Sequence, residues 1–230
     1  MFKINNNFIL TIFLICSLLI IILVAVLVFQ PFSQESKLVK ELTQAQLISE
    51  TDADNDGLDD YSDIVQNARA QIDVVTLYDT SYYVGGYPPE NSGVCADVIW
   101  RALQGAGYDF KKMIDDDMLA YPERYTNDYD TNINFRRTQN IRIFLENNVQ
   151  TLPTEVIPNN YDNLVTWQGG DIVTFAQIPG GLWHVAIVSD RRRADGVPYL
   201  IHNHGYGTLE NDYLLRWPTE ITGHFRFMLK

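Results

Sequence analysis

The chain is short of cysteine, of positive charge and of repetition. Two cysteines occur in 230 residues, Cys16 and Cys95. Cys16 lies in an apolar run, so the rest of the chain holds a single thiol and no intramolecular disulfide can form there. The cysteine count therefore does not report the redox compartment, but it leaves one free thiol to explain. Lys and Arg number 17 against 29 Asp and Glu, a formal net charge of −12. Affinity for a phosphate backbone comes largely from Lys and Arg, which argues against a nucleic-acid partner. Internal repeats and low-complexity tracts are lacking. So is a close histidine–cysteine cluster of the spacing that zinc uses.

What is present begins with an uncharged apolar run of 22 residues, Phe8 to Phe29. About 20 such residues cross the hydrocarbon layer as a helix. The run exceeds the ~7–15 residues of a signal-peptide core and ends in Val28, Phe29, Gln30, Pro31 and Phe32, not in small residues. It predicts an uncleaved membrane anchor over 1–30. Lys3 before the run and Lys37 and Lys40 after it, beside Glu35 and Glu41, do not set its orientation. Residues 31–61 are expected to form a stalk, with a short amphipathic helix through Leu38, Leu42 and Ala45. Residues 62–230 are expected to form the globular domain.

The stalk ends in DADNDGLDDYSD, Asp52 to Asp63. This fits the twelve-residue EF-hand loop, with Asp52, Asp54 and Asp56 at its first, third and fifth places. Gly57 makes the sharp turn, Leu58 offers its carbonyl, and Asp63 stands where Glu is usual, with a shorter arm. Five carboxylates in nine residues repel one another without a cation. A structural Ca2+ ion is the expected partner, and the millimolar calcium it would meet outside the cytoplasm puts the domain in the cell envelope. The bland alternative is a solvated acidic linker.

Helical spacing marks Ser62 to Ile72, Val94 to Gln104, part of Phe110 to Met118 and Gln139 to Asn148, with a long polar loop from Tyr121 to Phe135. The last third changes to short β-branched or aromatic runs: Asp171 to Gln177, Trp183 to Ser189, Pro198 to Asn203 and Gly223 to Met228. Helices followed by an antiparallel sheet give an α+β domain.

Cys95 follows a glycine-rich loop and opens a predicted helix, where the helix N-terminus favours a thiolate. Asp97 in the first turn opposes that, and an inert buried cysteine on an apolar helix face is the competing reading. Nucleophilic acyl transfer needs a base beside the thiol and a third group to orient the base. Of four histidines, His184 starts a strand and His202 and His204 end the next. His224 reads as packed in the final strand, and His204 as facing solvent near the site.

YYVGG followed by GVCAD, then WQGGDIVTF, WHVAIVSD and LIHN, is similar to the motif order of NlpC-type cell-wall peptidases. GVCADVIWRAL, NINFRRTQN, HVAIVSD, IHNHG and ITGHFRF together resemble the bacterial family called domain of unknown function 1287. The resemblance implies a papain-like fold with Cys95 as nucleophile and His184 as base. It implies His202 as the third residue, with Asn203 as the other candidate, and gives Tyr82 a share in holding the oxyanion. Ala96-Asp97 replaces the Ser-Gly of the cell-wall enzymes, and a long insert separates helix from sheet. In that insert Arg136 and Arg137 suggest either internal ion pairs or recognition of a substrate carboxylate. The expectation is a membrane-anchored thiol hydrolase, an amidase or peptidase acting on peptidoglycan peptides. A non-catalytic wall-binding module or a thioester acyltransferase are the alternatives.

Overall fold

The computed structural model describes residues 36–179, 181 and 183–229. The expected anchor, with Cys16, lies outside them. Among the described residues no helix is long and apolar enough to cross a membrane.

A six-stranded antiparallel sheet organises the fold. Its strands are β3 (Val149–Thr151), β4 (Ile172–Phe175), β5 (His184–Arg192), β6 (Pro198–Asn203), β7 (Thr208–Asn211) and β8 (Ile221–Leu229). Their order across the sheet is β3-β8-β4-β5-β6-β7. A separate two-stranded parallel pair joins β1 (Leu77–Tyr78) to β2 (Ser92–Gly93). Helix and strand together give the expected α+β class.

Successive side chains of a strand point to opposite faces, and here both faces are buried. On one face Ile172, Val185, Ile187, Ile201 and Phe225 meet the helices. These are α2 (Asp60–Arg69), α3 (Cys95–Gly105), α4 (Phe110–Ala120) and α5 (Thr138–Asn148). On the other face Val173, Phe175, Ala186, Val188 and Leu200 pack with Leu42, Leu164, Trp167 and Leu214.

The second core corrects the reading of residues 31–61 as a stalk. Residues 36–61 belong to the same compact unit as the sheet. Helix α1 (Lys37–Gln44) is capped by the Ser36 hydroxyl, which accepts from Val39 N–H. It buries Leu42 completely beside Leu164 and Trp167. Gly196, at φ +84°, sits so close that an added Cβ would meet Leu42 and Leu164 at 2.9 and 2.7 Å. The amphipathic pattern was correct; its partner is the back of the sheet. A short helix α6 (Tyr161–Leu164) completes that layer.

The insert Tyr121 to Phe135 is irregular but compact, with two 3-10 turns at Pro122–Arg124 and Asn134–Arg136. Phe135 and Asn134 are fully buried. Gly86, at φ +89°, lies where a Cβ would meet the Phe135 ring at 2.6 Å, so the second glycine of the YYVGG run serves close packing of loop on insert.

Candidate active site

Helix α3 starts at Cys95 because Val94 is extended and the Asp97 carboxylate accepts from Val94 N–H at 2.7 Å. Asp97 is wholly buried and also accepts from Trp100 Nε1 at 2.7 Å and from Arg136 Nε and Nη2 at 2.9 and 3.0 Å. Arg136 donates further to the carbonyls of Ser81 and Asp79. The expected substrate-binding arginine is therefore the counter-charge of Asp97, and its fork is filled by internal acceptors. The pair does not cancel the opposition expected from Asp97 at the helix start, since its carboxylate still pushes the Cys95 thiol up. Arg137 keeps one bond to the Asp128 carbonyl and lines the cleft.

Cys95 is 4% exposed, yet it lines a cavity of about 250 Å³ with Tyr78, Thr138, Gln139 and Trp183. Its Sγ lies 3.8 Å from the Thr138 hydroxyl and 3.9 Å from the Trp183 carbonyl. Burial pushes the thiol above its ordinary value; the Val185 N–H, the Thr138 hydroxyl and the Ala96 N–H pull it back down. The resting sulfur is therefore a neutral thiol.

Strand β5 brings the base candidate. Ile187 pairs with Ile201, which makes His184 and His202 diagonal neighbours on one face. His184 is 4% exposed, its ring stacked on Trp217 at 3.8 Å and tilted against Phe175. Its Nε2 and the Nδ1 of His202 share a hydrogen bond of 2.7 Å, and His202 Nε2 lies 3.0 Å from Asn211 Oδ1. An amide oxygen only accepts, so His202 carries its proton on Nε2 and presents a lone pair at Nδ1. His184 Nε2–H then donates to that lone pair, and the free lone pair of His184 is left on Nδ1. The relay fixes the tautomer that a base needs.

Burial, then His202 and His204, hold the His184 imidazole well below its usual range. Burial likewise lowers His202 to about 4, against the Asn211 bond. Both rings are neutral at rest.

The sulfur and the ring do not share a hydrogen bond. Cys95 packs with Val185 in the helix-side core, while His184 alternates to the face of Phe175 and Trp217. The two side chains lie on opposite faces at the start of β5, and the sulfur meets that strand through the Trp183 carbonyl. The facing pair expected from sequence is thus not formed: strand alternation puts the His184 side chain on the face away from the thiol, and it is not among the residues that line the Cys95 cavity.

Other expected residues are placed elsewhere. Asn203 donates to the Gly93 carbonyl at 3.0 Å and accepts from Gly205 N–H, bracing the loop before Cys95; it does not touch His184. Geometry selects His202 as its partner. Tyr82 is 54% exposed, and its hydroxyl bonds Asp130 and Asn132 in the insert, so it ties two loops together. The tyrosine beside the sulfur is Tyr78, whose phenol is pushed up by burial, then by Cys95 and Asp97. His224 is buried, stacked on Trp167, and bonded to Asp171 and the Pro153 carbonyl, a structural role as expected. His204 is half-buried against His202 and Tyr213. Sequence reasoning missed Tyr78, Thr138 and Asn211. Nothing in their local sequence distinguishes them; the sheet register and the α5 start bring them in.

Residues 65–227 match the family described as a domain of unknown function, DUF1287. The uncharacterized protein YijF of Escherichia coli (strain K12) is 36% identical over 176 residues, covering 73% of this chain and 82% of that protein. No solved structure matches.

Proposed function

We propose that this chain, which belongs to the DUF1287 family, is a thiol hydrolase of papain-like design that cleaves an amide bond, with peptidoglycan peptides as its substrate class. One observation carries the reading: a lone thiol heads a helix at a cavity, against the strand start that bears a tautomer-fixed histidine relay.

The cavity admits the scissile carbonyl beside Cys95. In this reaction the start of β5 shifts with bound substrate so that His184 Nδ1 reaches the sulfur and takes its proton as sulfur attacks carbon. The Ala96 N–H and its neighbours in the first turn of α3, with the Thr138 hydroxyl, offer donors to the developing oxyanion. His184 returns the proton to the leaving amine, and water then cleaves the thioester. The pair starts neutral, so the thiolate forms only as the carbonyl is attacked. The NlpC-like motif order supports the wall as the place of action, the apolar run at 8–29 supports a membrane-anchored chain, and the calcium-type loop at Asp52 to Asp63 supports a domain outside the cytoplasm.

A second reading, a cleft that binds a wall peptide without cleaving it, is favoured by the missing Cys95–His184 bond and the raised thiol. Catalytic hydrogen bonds often tighten only with substrate bound. Incubating the full chain with purified wall fragments and reading the products by mass spectrometry separates the two. New amine and carboxyl termini are expected from the wild type and none from Cys95→Ala. Fragments retained uncleaved by both proteins would establish the binding module. Products joined to an added amine would make the enzyme an acyltransferase.

A further inference from the structure

Asp52 to Asp63, the loop before α2 and the first turn of α2, carries six carboxylates, and the structure divides them into two groups. Asp59 accepts from Ser49 N–H at 2.8 Å, from the Ser62 hydroxyl at 2.6 Å and from Tyr61 N–H, capping α2. Asp60 accepts from the Thr51 hydroxyl, from Ala53 N–H at 2.9 Å and from the Tyr108 hydroxyl. These two fasten the segment to the domain. Gly107, at φ +86°, lets the Asp54 backbone approach so closely that a Cβ would meet its nitrogen at 2.9 Å.

The other four converge. One carboxylate oxygen from each of Asp52, Asp54, Asp56 and Asp63 lies within 4.8 Å of the rest. An acidic cluster alone would be unremarkable on a surface. Asp63, however, is only 4% exposed, and its Oδ2 is buried with no hydrogen-bond partner. Buried carboxylate oxygens are ordinarily paired, because desolvation penalises them otherwise. This one belongs to a group of four converging carboxylates, and a cation is the partner that such a group of oxygens fits. The ligand set is all oxygen, which disfavours zinc and copper. A glycine turn with Gly57 at φ +96° and a backbone carbonyl at Leu58 suits six to eight oxygens better than a tight octahedron.

We propose that Asp52, Asp54, Asp56 and Asp63, with the Leu58 carbonyl, bind one calcium ion that joins the N-terminal loop to helix α2. Asp63 is the ligand supplied by the helix, and the loop supplies the others. The site lies outside the thiol cleft, so its fate is independent of the chemistry proposed there.

Calorimetric titration of the chelator-treated full chain with calcium chloride tests it, alongside thermal unfolding with and without the ion. One calcium per chain is expected, saturating at or below about 1 mM, with a raised unfolding temperature. Asp63→Asn and the exposed Asp54→Asn should each weaken uptake roughly tenfold or more, since ligand charge sets affinity. No heat and no thermal shift in the millimolar range would overturn the proposal. Undiminished uptake by both variants would overturn the ligand assignment, and equal uptake of magnesium would overturn the choice of calcium.

Discussion

In the proposed reaction His184 and Cys95 start uncharged, and that sets the pH behaviour expected at the residue scale. A base held well below 6.5 stays unprotonated on the acid side. Turnover should therefore persist down to about pH 6 without the fall that an ordinary imidazole of pKa ~6.5 begins to show there; a pH profile of kcat/KM checks this. Stability moves the other way. The His202 value in the folded chain lies below its unfolded 6.5, so its contribution is complete above pH 6.5 and is lost as pH falls toward 4. The shift corresponds to about 3 kcal/mol. Denaturant unfolding at several pH values should show a smaller acid-side loss in His202→Gln than in the wild type. Asn211 gives a third test at this scale. Asn211→Leu removes the acceptor that fixes the tautomers and should lower kcat roughly 10–100-fold, part of what general acid–base catalysis carries. Asn211→Asp, which still accepts, should recover most of that rate. Equal loss in both variants would show that Asn211 only packs.

Elements were legible where they carry their own pattern. Val98, Ile99 and Ala102 announce α3, and the β-branched runs announce β4, β5 and β6. Strand β7, Thr-Leu-Glu-Asn, was missed because three of its four residues are polar and it is only four long. The α1 helix was read correctly but assigned to a stalk, since a sequence shows an apolar stripe and not what covers it. That correction is testable. Leu42→Ala should destabilise the whole domain by about 2–4 kcal/mol in denaturant unfolding. An unchanged midpoint would mean that α1 is an independent appendage. Candidate site residues follow the same rule: Cys95 and His184 stand out by position in their elements, whereas Thr138 and Asn211 matter only through tertiary placement. Arg136 was visible, but its partner Asp97, 39 positions away, was not.

For the whole molecule, the sheet separates two tasks. The helix-side core presents the thiol and the cavity, and the back of the sheet holds the histidines under Trp217 and Tyr213. The proposed catalysis would require these two halves to meet at the start of β5, and that meeting is the central claim. Rapid mixing of the full chain with wall peptides, followed by acid quench and intact-mass spectrometry, observes its covalent consequence. The account predicts a transient acyl adduct on Cys95 in the wild type that is absent in Cys95→Ala and forms far more slowly in His184→Ala. Peptide cleavage by Cys95→Ala at the wild-type rate, or an adduct that forms equally fast without His184, would contradict it.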